Sequence, residues 1–222
     1  MCKNMEYCNI MLNNKNAFTL AEMLITLGVI GVVSVLTIPN LIKNYYEKRT
    51  VSQLREVQSI LSQALRQAEE EYGDVYGWGL SYNSSSSDAQ IIADNIKPFL
   101  KLAQDCGLID NKGICASNTT YPYLNGGVYE NNYSMLSNYY KIKLLNGAGV
   151  WWRSGSEDSQ LIAFFVDVNG KNLPNIIGRD LFGFTYSNNS IFAESVPCTK
   201  NSNGWGCAYY ILQNGNMNYL KN

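Results

Sequence analysis

Histidine is absent from the 222 residues. That removes the commonest general base and the commonest metal ligand. It also excludes the Ser–His and Cys–His pairs that activate most nucleophiles. Charge is scarce as well, at 16% of residues with a net value of -1, so no basic surface for nucleic acid is expected. There is no G-x-S-x-G, no Gly-rich phosphate loop and no C-x-x-C. Glu157 and Asp158 are adjacent acids in a polar turn and read as solvated. An enzyme is therefore not expected.

What the chain does have is one long apolar run. No charged residue occurs from Met23 to Ile42. At about 1.5 Å per residue, some 20 residues cover the roughly 30 Å hydrocarbon core of a bilayer. The run is longer than the apolar part of a secretory signal, and no A-x-A cleavage site follows Ile38. A membrane helix is expected. Lys3 and Lys15 precede it, while Lys43, Lys48 and Arg49 follow it, so the positive-inside count does not set its orientation.

Glu22 stands near the start of this run. A carboxylate at a membrane-helix centre costs about 2.5–3.5 kcal/mol on insertion scales, and less near the interface. In one reading it sits at headgroup level and needs no partner. In the other, cleavage between Ala17 and Phe18 frees an α-amino group one helical turn away. A neighbouring subunit's amine would then meet Glu22 in low dielectric and set the axial register.

The stretch Ala17-Phe18-Thr19-Leu20-Ala21-Glu22, followed by the apolar run, resembles the processing segment of type IV pilins and the pseudopilins of type II secretion. The resemblance covers residues 16 to about 42. It implies a leader, residues 1–17, removed by a prepilin peptidase, with N-methylation of Phe18. It implies assembly supported by Glu22, and a helix kink at Pro39. Ala17 stands where the family usually has Gly. The implied partners are the prepilin peptidase, other pilin or pseudopilin subunits, an inner-membrane assembly platform and membrane lipid. The implied location is the inner membrane, N-terminus inside, with an extracytoplasmic C-terminal domain, and then a pilus or pseudopilus.

Beyond Asn40 the pattern turns amphipathic. Leu54, Val57, Leu61, Ala64, Leu65, Ala68 and Tyr72 recur at helical spacing, and Gly73 is a natural stop. One helix is expected over 18–72, with 18–42 for membrane and assembly and 43–72 amphipathic. The remainder, 73–222, reads as a globular domain. Ser87-Asp88-Ala89-Gln90 looks like a capping box opening a short helix that carries Ile91, Ile92, Ile96, Leu100 and Leu102. Strands are expected at Lys141–Leu145, Val150–Trp152, Gln160–Val168, Leu181–Tyr186 and Ser190–Glu194. Tyr209–Gln213 fits a strand or a helical turn. The fold class is thus α+β and pilin-like: a long N-terminal helix on an antiparallel sheet, with loop-rich, disulfide-closed segments.

Cys2 and Cys8 fall in the leader, leaving Cys106, Cys115, Cys198 and Cys207. Four cysteines allow three connectivities. Short-loop pairing, 106 with 115 and 198 with 207, is the expected one, in an oxidising compartment. Four buried thiols are the alternative. Finally, Asp167, Asn169, Asn175 and Asp180 offer hard oxygen ligands around Gly170 and Gly178. Asp167, Asn169 and Asp180 are candidates for calcium, which takes six to eight oxygens. The D-x-N start of an EF-hand loop is present, but its terminal Glu is missing. The competing reading has Asp167 and Asn169 bonding local backbone in a turn. No other cofactor is expected. The functional expectation is a structural subunit of a type IV pilus or type II secretion pseudopilus. The alternatives are an uncleaved, membrane-anchored binding or adhesion module, and an exported enzyme behind a signal peptide.

Overall fold

A computed structural model describes residues 19–156 and 161–221. The first helix, α1, runs Leu20–Tyr72. The described chain divides into two compact units, one up to Asn44 and one from Tyr45 onward.

In the first unit α1 is apolar on every side. Leu24, Ile25, Leu27, Val29, Ile30, Val32, Val33, Val35 and Leu36 are all more than half exposed. A helix that is hydrophobic all round has no solvent-facing side and suits lipid. Both of its threonine hydroxyls are satisfied within the helix: Thr26 Oγ1 donates to the Met23 carbonyl (3.0 Å) and Thr37 Oγ1 to that of Val33 (2.9 Å). A bilayer interior requires such internal pairing. Pro39 lies inside α1 and the helix continues through it.

In the second unit the rest of α1 buries Val51, Leu54, Val57, Leu61, Ala64, Leu65 and Ala68. These recur at three- and four-residue steps, which line one helix face. Tyr72, expected on that face, is 47% exposed and its ring meets Phe99. Gly73 ends the helix at φ +82°, where its N–H reaches the Glu69 carbonyl (3.0 Å). A residue with a Cβ is disfavoured at that φ.

Helix α2 (Ser86–Ile96) follows, then strands β1 (Leu102–Gly107), β2 (Tyr140–Leu144), β3 (Gly149–Ser154), β4 (Ile162–Asp167), β5 (Leu181–Ser187) and β6 (Ser190–Phe192), and helix α3 (Cys207–Asn214). The strands form one antiparallel sheet in the order β1-β2-β3-β4-β5-β6. Alternate side chains point to opposite faces. On one face Ile142, Val150, Trp152, Phe164, Val166, Phe182 and Phe184 join the α1 stripe and Ile92 of α2 in the main core. On the other face Trp151 and Leu181 pack with Tyr121, Tyr133 and Tyr139, and with Phe165 and Trp205 around them. The polar segment between β1 and β2 is therefore a covering layer for the outer face of the sheet. Buried Lys141 pins it, donating to the carbonyls of Leu108, Leu136 and Tyr139 at 2.5–3.0 Å.

Two local expectations change, and one left open is decided. The cap of α2 is Ser85, whose Oγ accepts from the Asp88 N–H (3.2 Å), so that helix begins about half a turn before Ser87. It stops at Ile96 because Pro98 enters a 3-10 turn (Lys97–Phe99), and Leu102 then opens β1, a strand the helical pattern concealed. Tyr209–Gln213 belongs to α3, which closes on Gly215 in the left-handed region. Gln160, Glu157 and Asp158 lie outside the described residues.

Candidate functional site

The expected oxygen ligands come together in the connection from β4 to β5. Asp167 ends β4, opposite Leu181, and the Val168 N–H bonds the Asp180 carbonyl (2.9 Å), so the two acids sit side by side. Both are buried. The Tyr121 hydroxyl donates to Asp167 Oδ2 (2.8 Å) and accepts from the Ser117 N–H (3.1 Å). Ser117 Oγ accepts from Asn175 Nδ2 (3.1 Å). Asp180 Oδ2 accepts from the Asn175 N–H (2.7 Å) and from Asn169 Nδ2 (3.3 Å), and Oδ1 from the Ile176 N–H (2.5 Å).

With the Asn169 N–H on the Asp167 carboxylate, this makes a polar ring, Asp167–Tyr121–Ser117–Asn175–Asp180–Asn169, joining the β4–β5 connection to the covering layer. Burial pushes Asp167 well above the usual carboxylate range, and the Asp180 charge adds to this. Burial likewise pushes Asp180 up, to about 6, against the lowering effect of the Ile176 and Asn175 amides. The proposed calcium ligands Asp167, Asn169 and Asp180 are thus neighbours. Asn175 joins them. Tyr121 and Ser117 had no signal in the sequence.

The four cysteines form two bridges, Cys106–Cys115 and Cys198–Cys207, each spanning nine residues. Asp110 lies beside the first bridge, but both sulfurs there are oxidised and cannot serve as thiolate ligands. Its Oδ2 instead accepts from the N–H groups of Cys115 (2.7 Å) and Ala116 (3.1 Å).

At the start of α1, Glu22 closes a capping box with Thr19. Its Oε2 accepts from the Thr19 N–H and from Thr19 Oγ1, both at 2.8 Å, while the Glu22 N–H donates to Thr19 Oγ1 (3.2 Å). Two groups that a helix start leaves unpaired are thereby satisfied reciprocally. Thr19-x-x-Glu22 is the sequence signature of such a box. Here it opens an apolar helix long enough to cross a bilayer.

Residues 12–38 match the prokaryotic N-terminal methylation motif. This methylation motif is the hallmark of the prepilin-type segment of type IV pilins and pseudopilins. It contains Glu22 at the helix cap and Ala17 and Phe18 before it, the last two outside the described residues. Pro39 is the first residue beyond the motif. A long helix on an antiparallel sheet with two disulfides gives the rest of the chain a pilin-like α+β architecture. No curated protein and no solved structure matches the chain.

Proposed function

We propose that this chain is a structural subunit of a type IV pilus or type II secretion pseudopilus. A prepilin peptidase cuts between Ala17 and Phe18 and methylates the new amino group. Residues 18–42 hold the subunit in the inner membrane, with the globular part outside the cytoplasm. The helices then pack into a filament on an inner-membrane assembly platform, and no residue performs catalysis. The observation that carries this reading is the methylation motif joined directly to an apolar, bilayer-length helix. In the filament the Glu22 carboxylate exchanges its Thr19 contacts for a neighbouring subunit's Phe18 amine, which sets the register.

A second reading is favoured by one contact. Thr19 alone supplies Glu22 with two hydrogen bonds, so the acid can be accommodated in an uncleaved anchor carrying a binding or adhesion domain. Intact mass and N-terminal sequencing of the protein from native membranes separate the two. A chain that begins at N-methylated Phe18 supports the filament subunit, and one that begins at Met1 supports the anchor. In the filament reading, Glu22→Ala is processed normally but its filament yield falls at least tenfold. Normal yield from that variant would remove the register role.

A further inference from the structure

The covering layer leaves part of the sheet's outer face open. A hollow of about 230 Å3 lies there over β4 and β5. Its floor is Ala163, Phe165, Gly183 and Thr185, which alternate along the paired strands with core-facing Phe164 and Phe184. Tyr129, from the covering layer, and Trp205, from the turn before α3, flank it. Gly183 sits opposite Phe165, and a Cβ there would stand 3.3 Å from the indole of Trp205. Glycine thus lets the indole lie close on the sheet. Trp205 meets both other rings edge to face, Tyr129 at 5.9 Å and Phe165 at 5.6 Å. All three side chains are half-buried, so ring surface is left for a ligand.

Among the described residues, Glu194 is the one charged group that lines the hollow, and it enters no ion pair. It stands beside the floor, where the Thr185 hydroxyl reaches its Oε1 at 3.5 Å. Arg153, opposite Ala163 on β3, places its guanidinium over the Tyr139 ring (5.4 Å) and not in the hollow. Three aromatic rings with one uncompensated carboxylate are complementary to an organic cation. We propose that this hollow binds a small soluble quaternary ammonium compound of choline's class. The negative faces of aromatic rings attract such a cation, Trp most strongly. A methylated ammonium has no N–H to leave unpaired against these rings. A primary ammonium is strongly hydrated and has more to lose on entering. Glu194 supplies the countercharge at the rim. Pockets for drug-sized ligands hold about 300–1,000 Å3, so this smaller hollow suits a headgroup-sized solute. Binding here does not depend on how the N-terminus is processed.

Choline itself is the probe. Full-length protein in nonionic micelles is titrated with choline chloride at constant ionic strength. Saturation transfer from the protein to the choline methyl protons is followed by nuclear magnetic resonance. The expected result is saturable transfer. The uncharged isostere of choline, with carbon in place of nitrogen, should bind about tenfold more weakly. Affinity for choline falls about tenfold in Trp205→Leu and about threefold in Glu194→Gln. Glu194 is exposed, so the second variant keeps the test valid if Trp205→Leu fails to fold. Absent or non-saturable transfer overturns the proposal. So does equal binding of the isostere, which would make the hollow merely apolar. Unchanged affinity in Glu194→Gln or in folded Trp205→Leu also overturns it.

Discussion

Tyr121→Phe tests the polar ring with a single oxygen. The ring of Tyr121 is fully buried against Tyr133 and Trp151, and phenylalanine keeps those contacts. Only the hydroxyl is lost. Asp167 Oδ2 then has no donor and the Ser117 N–H has no acceptor. A hydrogen bond is worth about 0.5–1.5 kcal/mol net, and a stranded buried amide costs about 1–3 kcal/mol. The two effects share one network and are not additive, so about 3 kcal/mol is expected in total. For a domain of this size about 1 kcal/mol moves Tm by roughly 2–4 °C, so the fall should be about 6–12 °C. The assay is thermal unfolding of the full chain in detergent with excess chelator. It is followed by near-ultraviolet circular dichroism, which reports the aromatic core rather than the micelle-embedded helix. Tyr133→Phe is the control. Its hydroxyl makes one 3.2 Å bond to the Tyr129 hydroxyl, and losing it should lower Tm by about 2–4 °C, for about 1 kcal/mol. Equal shifts in the two variants, or a fall of less than about 2 °C for Tyr121→Phe, would refute the claim that this hydroxyl holds the ring together.

Two further outcomes follow from the core and from one buried acid. Leu61→Ala empties a site that is completely buried on the α1 stripe, and denaturant unfolding should show a loss of about 2–5 kcal/mol. A loss below about 1 kcal/mol would mean that this stripe does not anchor the sheet. Asp88 accepts from the Ser81 N–H, Ser81 Oγ and Ser154 Oγ at 2.6–3.0 Å. Burial raises its carboxyl, but these bonds together outweigh it and hold the folded-state pKa below 3.8. The stabilisation is therefore complete above the unfolded value and is lost as pH falls through the lowered folded value. Wild type should lose stability below about pH 4 more steeply than Asp88→Asn. Parallel stability curves for the two proteins would contradict this.

The sequence made some features legible because they depend on local periodicity. The α1 stripe is an example: Leu54 to Ala68 bury as their spacing requires. The strands β2 to β6 follow from β-branched and aromatic runs between turns, with ends shifted by one or two residues. Thr19-x-x-Glu22 carries the signature of a cap, but the sequence reading of Glu22 is only a headgroup-level acid or a partner for a neighbouring amine; the reciprocal cap gives it a partner at its own helix start. β1 was hidden because Leu100 and Leu102 continue the helical spacing of Ile92 and Ile96 past Pro98. The covering layer was hidden for a deeper reason. Tyr121 and Tyr133 lie in a polar, Asn-rich stretch with no period, and only tertiary contact with Trp151 buries them. The same holds at the polar ring. Asp167, Asn169, Asn175 and Asp180 are close in sequence and could be named together, whereas Tyr121 is 46 residues from the carboxylate it holds.

The order of the strands also bears on how the chain acquires its structure. Every strand pairs with the strand before or after it, and each disulfide closes across nine residues. Apart from β1, whose partners on β2 lie 34 to 42 residues away, these contacts close small loops, and chains dominated by such contacts fold faster than those that must first join distant segments. From β2 onward each hairpin can zip onto the one already made as the polypeptide emerges, and each cysteine finds its partner close by in the chain. Exposed strand edges then have a short lifetime, which limits pairing between copies of the chain.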